Sequence, residues 1–298
     1  MCKVSIIGCG DIGGRVAMAC LAQGEQVSGW VRTEASRERL EGLGITAFQL
    51  DLDDDKAVFP ELQGHRVYFF APPPSSGQED TRVARLLQHI RETGSPRRVV
   101  YLSTTGVYGD CHGEWVDETR PPAPQVDRAR RRLDAELRWR AWSEASGGEL
   151  VILRVAGIYG PGKLPVKRLQ SSQPMVGEAE SPITNHIHSL DLVRICRAAM
   201  QRGGNGEVYN VSDGRPGSMT GYFNQVADFL QLPRPPVISL SEAEGRLSPG
   251  MLSYLGESRR LSNRKLLEEL QVELQFPSLA EGLSACRESG DLPSDITR

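Results

Sequence analysis

Near the amino terminus, Gly8-Cys9-Gly10-Asp11-Ile12-Gly13 has the G-x-G-x-x-G spacing that can hold a pyrophosphate. Its flanks give the spacing meaning: Lys3 to Ile7 reads as an apolar strand, and Ile12-Gly13-Gly14-Arg15-Val16-Ala17 opens an amphipathic helix. Glycines permit the tight turn, let the backbone approach phosphate closely and let helix pack on strand. The start of the helix offers unpaired N–H groups to the anion. The turn is therefore expected to bind a nicotinamide dinucleotide through Gly8, Gly10, Asp11, Ile12 and Gly13.

The end of the second strand selects between the two nicotinamide cofactors. An acidic residue there pairs with a ribose 2′-hydroxyl, whereas an arginine accommodates a 2′-phosphate. Gly29-Trp30-Val31-Arg32-Thr33 has no carboxylate before Glu34. Arg32 and Thr33 thus point to NADP rather than NAD. The competing reading leaves Arg32 in solvent and gives the ribose to Glu34. Asp51 and Leu52, ending the third strand, are placed to meet the adenine, unless the acidic run from Asp51 to Asp55 is a solvated helix start. Ala71, after the fourth strand, completes the candidate cofactor contacts.

The elements around these residues alternate. Apolar runs at Val4 to Ile7, Gln26 to Val31, Thr46 to Leu50, Val67 to Phe70, Arg98 to Leu102 and Leu150 to Val155 are separated by helix-period segments such as Ile12 to Gln23, Glu79 to Thr93 and Asp127 to Ala145. Strands apolar on both faces, alternating with helices, predict an α/β chain with a Rossmann-type doubly wound parallel sheet. After Gly160-Pro161-Gly162 the rhythm breaks into an irregular stretch to about residue 185. A helix (Ser189 to Gln201) and a strand (Glu207 to Val211) follow, then helical pieces with proline-rich joints. The expected division is a dinucleotide-binding domain of residues 1–162 and 186–212, and a smaller, mostly helical substrate lobe of residues 163–185 and 213–298, with a frayed tail from about Ser289.

A formal charge of −3 on 298 residues gives no basic excess for nucleic acid, and no apolar run is long enough for a bilayer. A strand starting two residues after Met1 leaves no room for a secretory leader, so a cytoplasmic protein is expected. The six cysteines have no C-x-x-C spacing and suggest neither a disulfide framework nor a metal site. Cys20, Cys196 and Cys286 are expected to be buried thiols.

Leu102-Ser103-Thr104-Thr105-Gly106-Val107-Tyr108-Gly109 resembles the extended short-chain dehydrogenases/reductases, specifically the NAD-dependent epimerase/dehydratase group. Further matching segments follow in order: Glu118-Thr119 with Pro121 and Pro122, Leu153-Arg154, Ile158-Tyr159-Gly160-Pro161-Gly162, His186 to Leu192, Val208 to Ser212, and Arg259 to Asn263. The resemblance implies an oxidoreductase or epimerase acting on a carbonyl or hydroxyl group of a small molecule such as a sugar-like one. In such enzymes a Ser or Thr, a Tyr and a Lys act together, because hydride transfer at a carbinol carbon must be matched by proton transfer at its oxygen. Thr104 matches the hydroxyl position.

The tyrosine and lysine should follow as Tyr-x-x-x-Lys on one face of the next helix. Gln125 to Glu136 contains no tyrosine; depending on alignment, the pair becomes Val126/Arg130 or Arg128/Arg132. Arg130 or Arg132 would replace the lysine. A guanidinium stays protonated and cannot act as the base. Tyr159-x-x-x-Lys163 lies in a loop beside Pro161 and reads as a chance match. Tyr108 and His112, near the Thr104 strand, are the candidate replacements, whereas His186 and His188 suit core packing. Thr105 and Gly106 stand where dehydratases carry Asp-Glu, which disfavours sugar dehydration. A second reading is a non-catalytic NADP(H)-binding sensor. The arginines expected on the outer face of the Asp127 helix, Arg128, Arg131, Arg132 and Arg138, suggest a monomer or weak homodimer.

Overall fold

Seven strands pair in parallel in the computed structural model, which describes residues 3–288. In chain order the first elements are β1 (Lys3–Ile7), α1 (Asp11–Leu21), β2 (Gln26–Val31), α2 (Glu34–Gly42), β3 (Thr46–Gln49), β4 (Arg66–Phe69), α3 (Thr81–Thr93), β5 (Arg98–Thr104) and α4 (Asp127–Ser146). The sheet runs β3-β2-β1-β4-β5 and then adds the strands Glu149–Val155 and Val208–Val211. Ile7 is in register with Trp30 on one side and Phe69 on the other, and Thr104 with Val155. The order reverses at β1, which opens a ligand crevice at the carboxyl ends of the strands, where the glycine turn lies.

Side-chain alternation explains why both sheet faces are covered. Ile6, Val100 and Leu153 point into one apolar cluster with Val16 of α1 and Leu192 and Ile195 of the helix Ser189–Arg202. Their neighbours Ile7, Val99 and Ile152 point into another, with Leu86 of α3 and Trp139 of α4. Strands buried on both faces need continuous apolar sequence, and these have it.

A smaller, mostly helical C-terminal region packs beside the sheet, with Phe223 and Val226 of the helix Met219–Phe229 gathered against Leu169, Met175 and Leu283. The stretch expected to be irregular holds a helix, Val166–Gln170, and two-residue strands. Met175–Val176 pairs with Val237–Ile238, and Ile183–Thr184 with Gly217–Ser218. Their partners lie far along the chain, so local pattern does not reveal them. The loop after β5 is tied to the C-terminal region in the same way, Trp115–Val116 pairing with Arg260–Leu261.

Two expectations change. No helix starts at the acidic run: Asp51 accepts from the Asp53 amide at 3.0 Å, and Asp53 pairs with Arg82. The arginines of α4 do not form one outer face, since Arg131 is buried against the Gly77 carbonyl and Arg132 reaches the carbonyls of Ala71 and Leu102. The expected tail from Ser289 lies outside the described residues. Among the described residues no helix is long and apolar enough to cross a membrane, and no cluster of three or more His, Cys, Asp or Glu could hold a metal.

Candidate active site

The turn after β1 is shaped by close approach. Gly8 has φ +84°, and a Cβ there would lie 2.3 Å from the Ala71 nitrogen, so only glycine fits against the end of β4. A Cβ at Gly13 would come within 3.0 Å of the Gly8 carbonyl, whereas one at Gly10 would meet no protein atom within 4 Å. Gly10 therefore borders space the protein leaves open, at the start of a helix with no side-chain cap. These are the features a dinucleotide pyrophosphate requires. Asp11 bonds Arg15 and Lys163, each at 3.0 Å. Partial burial opposes its ionisation, yet the two cations hold its carboxyl below the usual range.

Around the turn, Ile12, Leu52 and Ala71 are buried, and Ala71 links the turn to α4 because its carbonyl accepts from Arg132 Nη1 at 3.3 Å. Asp51 is partly exposed at the end of the crevice. Thr33 caps α2, its hydroxyl accepting from the Ser36 amide and donating to Ser36 Oγ at 2.8 Å. Arg32 is exposed, and its guanidinium has no hydrogen bond or ion pair among the described residues.

A cavity of about 420 Å³ opens at the carboxyl ends of β5 and Glu149–Val155. The sheet side contributes Thr104, Thr105 and Gly106; α4 contributes Arg128 and Arg132; the C-terminal region contributes Met219, Tyr254, Glu257 and Arg259. Thr104 ends β5 with its Oγ1 accepting from the Gly106 amide at 3.2 Å. Arg132 Nη1 reaches Leu102 O at 3.0 Å and the Tyr101 hydroxyl at 3.3 Å. Of the two possible pairs on α4, Arg128 and Arg132 reach the cavity. Val126 is only the helix cap, and Arg130 turns away to pair with Asp127 at 2.7 Å.

The other sequence candidates are placed elsewhere. Tyr108 is buried, donates to Asn210 Oδ1 at 2.8 Å and lies beneath Arg154; burial raises its phenol pKa, so it is part of the packing. His112 is 85% exposed on a turn, beside Asp110, and does not line the cavity. Cys111 is buried and its thiol is pushed up by desolvation. His186 stacks on Tyr222 at 4.1 Å, and His188 packs 4.0 Å from Phe276; burial pulls both down to about 4.

What the sequence did not reveal is Tyr254. It sits on a short helix, Pro249–Leu255, and its ring lies 4.1 Å from the Arg128 guanidinium. No motif surrounds it. Arg128 also donates to Ser253, and Glu257 accepts from Arg259 Nη2 at 2.8 Å while lying 3.7 Å from Arg128 Nη2.

Residues 4–212 match the model of the NAD dependent epimerase/dehydratase family. The chain belongs to this family. It is 27% identical over 290 residues to protein YeeZ of Escherichia coli K12, covering 93% of this chain and 97% of that protein. A solved structure of a functionally unknown conserved protein from Silicibacter pomeroyi has a TM-score of 0.85 and 30% identity, covering 97% of this chain and 99% of that one. The dTDP-glucose 4,6-dehydratase DesIV of Streptomyces venezuelae, solved with NAD as a double mutant, has a TM-score of 0.78 and 22% identity, with coverage of 96% and 95%.

The NADP expectation is corrected on this ground. DesIV holds NAD, as does the Thermus thermophilus UDP-glucose 4-epimerase that shares the fold (TM-score 0.75, 21% identity). Arg32 is exposed, and Thr33 is engaged as the cap of α2.

Proposed function

We propose that this protein is an NAD-dependent oxidoreductase or epimerase of the epimerase/dehydratase kind, acting on a hydroxyl or carbonyl group of a sugar-sized molecule. The observation that carries it is the shared placement of Thr104, Arg132 and Tyr254 on one cavity beside the glycine turn, with Ala71 touching both turn and Arg132. The volume suits a small ligand. The relatives DesIV and the Thermus epimerase are named for sugar nucleotides.

In this reading residues 1–162 and 186–212 bind the dinucleotide, and residues 163–185 and 213–298 form the substrate lobe. Gly8, Gly10, Asp11, Ile12 and Gly13 hold the pyrophosphate, and Asp51 and Leu52 meet the adenine. A bound NAD would supply the hydride acceptor or donor for the substrate carbon. Thr104 orients the substrate oxygen. Arg132, tied to the backbone of β5 and Ala71, takes the place of the family lysine as a fixed positive charge. Tyr254 brings from the other lobe the phenol that α4 lacks, and it moves the proton at the substrate oxygen.

The test follows nicotinamide absorbance when the protein and NAD or NADH meet a panel of hydroxy and keto compounds, sugar nucleotides included. Turnover that falls in Thr104→Ala is the expected result. A second reading, an NAD-binding protein without turnover, is favoured by the absence of a tyrosine on α4. Tight NAD binding with silence across the panel would establish it instead.

A further inference from the structure

Three guanidinium groups line the cavity, those of Arg128, Arg132 and Arg259, and one carboxylate, Glu257. That carboxylate is already shared. Its Oε2 accepts from Arg259 at 2.8 Å and its Oε1 lies 3.7 Å from Arg128, while the residue is only 6% exposed. Arg259 spends its other terminal nitrogen on the Gly109 carbonyl. Arg132 has no ion pair among the described residues. All its hydrogen bonds use Nη1, to the neutral acceptors Ala71 O, Leu102 O and the Tyr101 hydroxyl, which leaves Nε and Nη2 without a hydrogen bond among the described residues. Asp80 acts on Arg132 through space, but it is fully buried as the cap of α3 and does not line the cavity.

Arg128 and Arg132 stand four residues apart on α4, one helical turn, where like charges repel. A third charge of opposite sign between them removes that cost. A guanidinium fork matches the oxygen spacing of carboxylate and phosphate, forming paired charge-assisted hydrogen bonds. The pair also occupies the helix face where a tyrosine and a lysine are expected. That face is therefore built here for charge recognition as well as for the reaction.

Resting on the oxidoreductase reading of the same cavity, we propose that Arg128 and Arg132 are an oxyanion clamp. The substrate is then a small hydroxy or keto compound that carries a carboxylate or phosphate close to its reacting carbon.

The test is calorimetric titration of the full chain with oxalate, with inorganic phosphate and with neutral oxamide, each with and without saturating NAD. Wild type is expected to bind at least one anion and not oxamide, and the preferred anion separates a carboxylate from a phosphate substrate. Arg128→Gln and Arg132→Gln should weaken that anion about tenfold or more, and Arg128→Lys should recover only part of the loss because an ammonium cannot form the fork. Arg234→Gln, an exposed arginine paired with Asp228, should bind as wild type. If Arg132→Gln fails to fold, Arg128→Gln decides, since that side chain is partly exposed. No anion binding in wild type, or equal affinity in Arg128→Gln, overturns the clamp. NAD is titrated into the same samples: anion binding without NAD binding would overturn the oxidoreductase reading and leave the clamp standing, and the converse would do the reverse.

Discussion

The Arg128 guanidinium lies 4.1 Å from the centre of the Tyr254 ring, so α4 holds a phenol that belongs to the far end of the chain. The contact joins the helix under the sheet to the C-terminal region across the cavity mouth, and Ser253 and Glu257 reinforce it on either side. The contact is with the face of the ring, and the hydroxyl makes no hydrogen bond among the described residues, which in the proposed reading leaves it for a substrate.

Tyr254→Phe is therefore expected to cut turnover about 100-fold or more while leaving NAD affinity unchanged, the size of effect seen when a positioned acid or base is removed. Steady-state kinetics alongside NAD titration check it. Full activity in the phenylalanine variant would show that the proton moves by another route.

Below the cavity the same stripe of α4 continues to Glu136, which pairs with Arg154 through two hydrogen bonds of 2.7 and 3.1 Å and accepts from Ser103 at 2.5 Å. Both partners are almost fully buried. Removing one member of a buried pair strands the other charge, so Glu136→Ala should cost about 3–5 kcal/mol of unfolding free energy. Urea denaturation measures it, and a loss below about 1 kcal/mol would mean that the pair does not anchor α4.

Stability should also fall on the acid side. His186 and His188 have pKa values drawn down to about 4 by burial, whereas unfolded histidine titrates near 6.5. The unfolded chain thus binds more protons between these values, and stability drops as pH falls through that window, by about 2 kcal/mol per histidine at pH 5. Asp213, pushed up to about 6 by burial, acts in the opposite sense over the range from its unfolded value up to 6, but it is one group against two. Unfolding free energies at pH 7 and pH 5 should differ less in His188→Gln than in wild type. The same difference in both proteins would remove His188 from the account.

The sheet was legible in the sequence because each strand of a doubly wound fold carries its own apolar run; β1 to β5 lie within a residue or two of the runs that predict them. The glycine turn was legible for the same reason, since Gly8, Gly10 and Gly13 act within one local motif. The far wall of the cavity was not. Tyr254, Glu257 and Arg259 reach the cavity only through packing between distant segments and the pairing of Trp115–Val116 with Arg260–Leu261, which no local period encodes. Tyr108 and His112 drew attention by nearness in sequence to Thr104, yet one side chain turns into the core and the other into solvent. Arg32 misled in a similar way, as an arginine at the right place in the chain whose guanidinium makes no hydrogen bond or ion pair among the described residues and acts on Asp53 through space.

The most direct measurement is titration of NAD into wild type, Gly10→Val and Gly8→Ala, with the melting temperature of each. A side chain at Gly10 would enter only the open space beside the turn, whereas one at Gly8 would press on Ala71 at a positive φ. Wild type should bind NAD; Gly10→Val should lose that binding while melting close to wild type; and Gly8→Ala should lose both binding and stability. Undiminished NAD binding by Gly10→Val, or none by wild type, would contradict the assignment of the turn as the dinucleotide site.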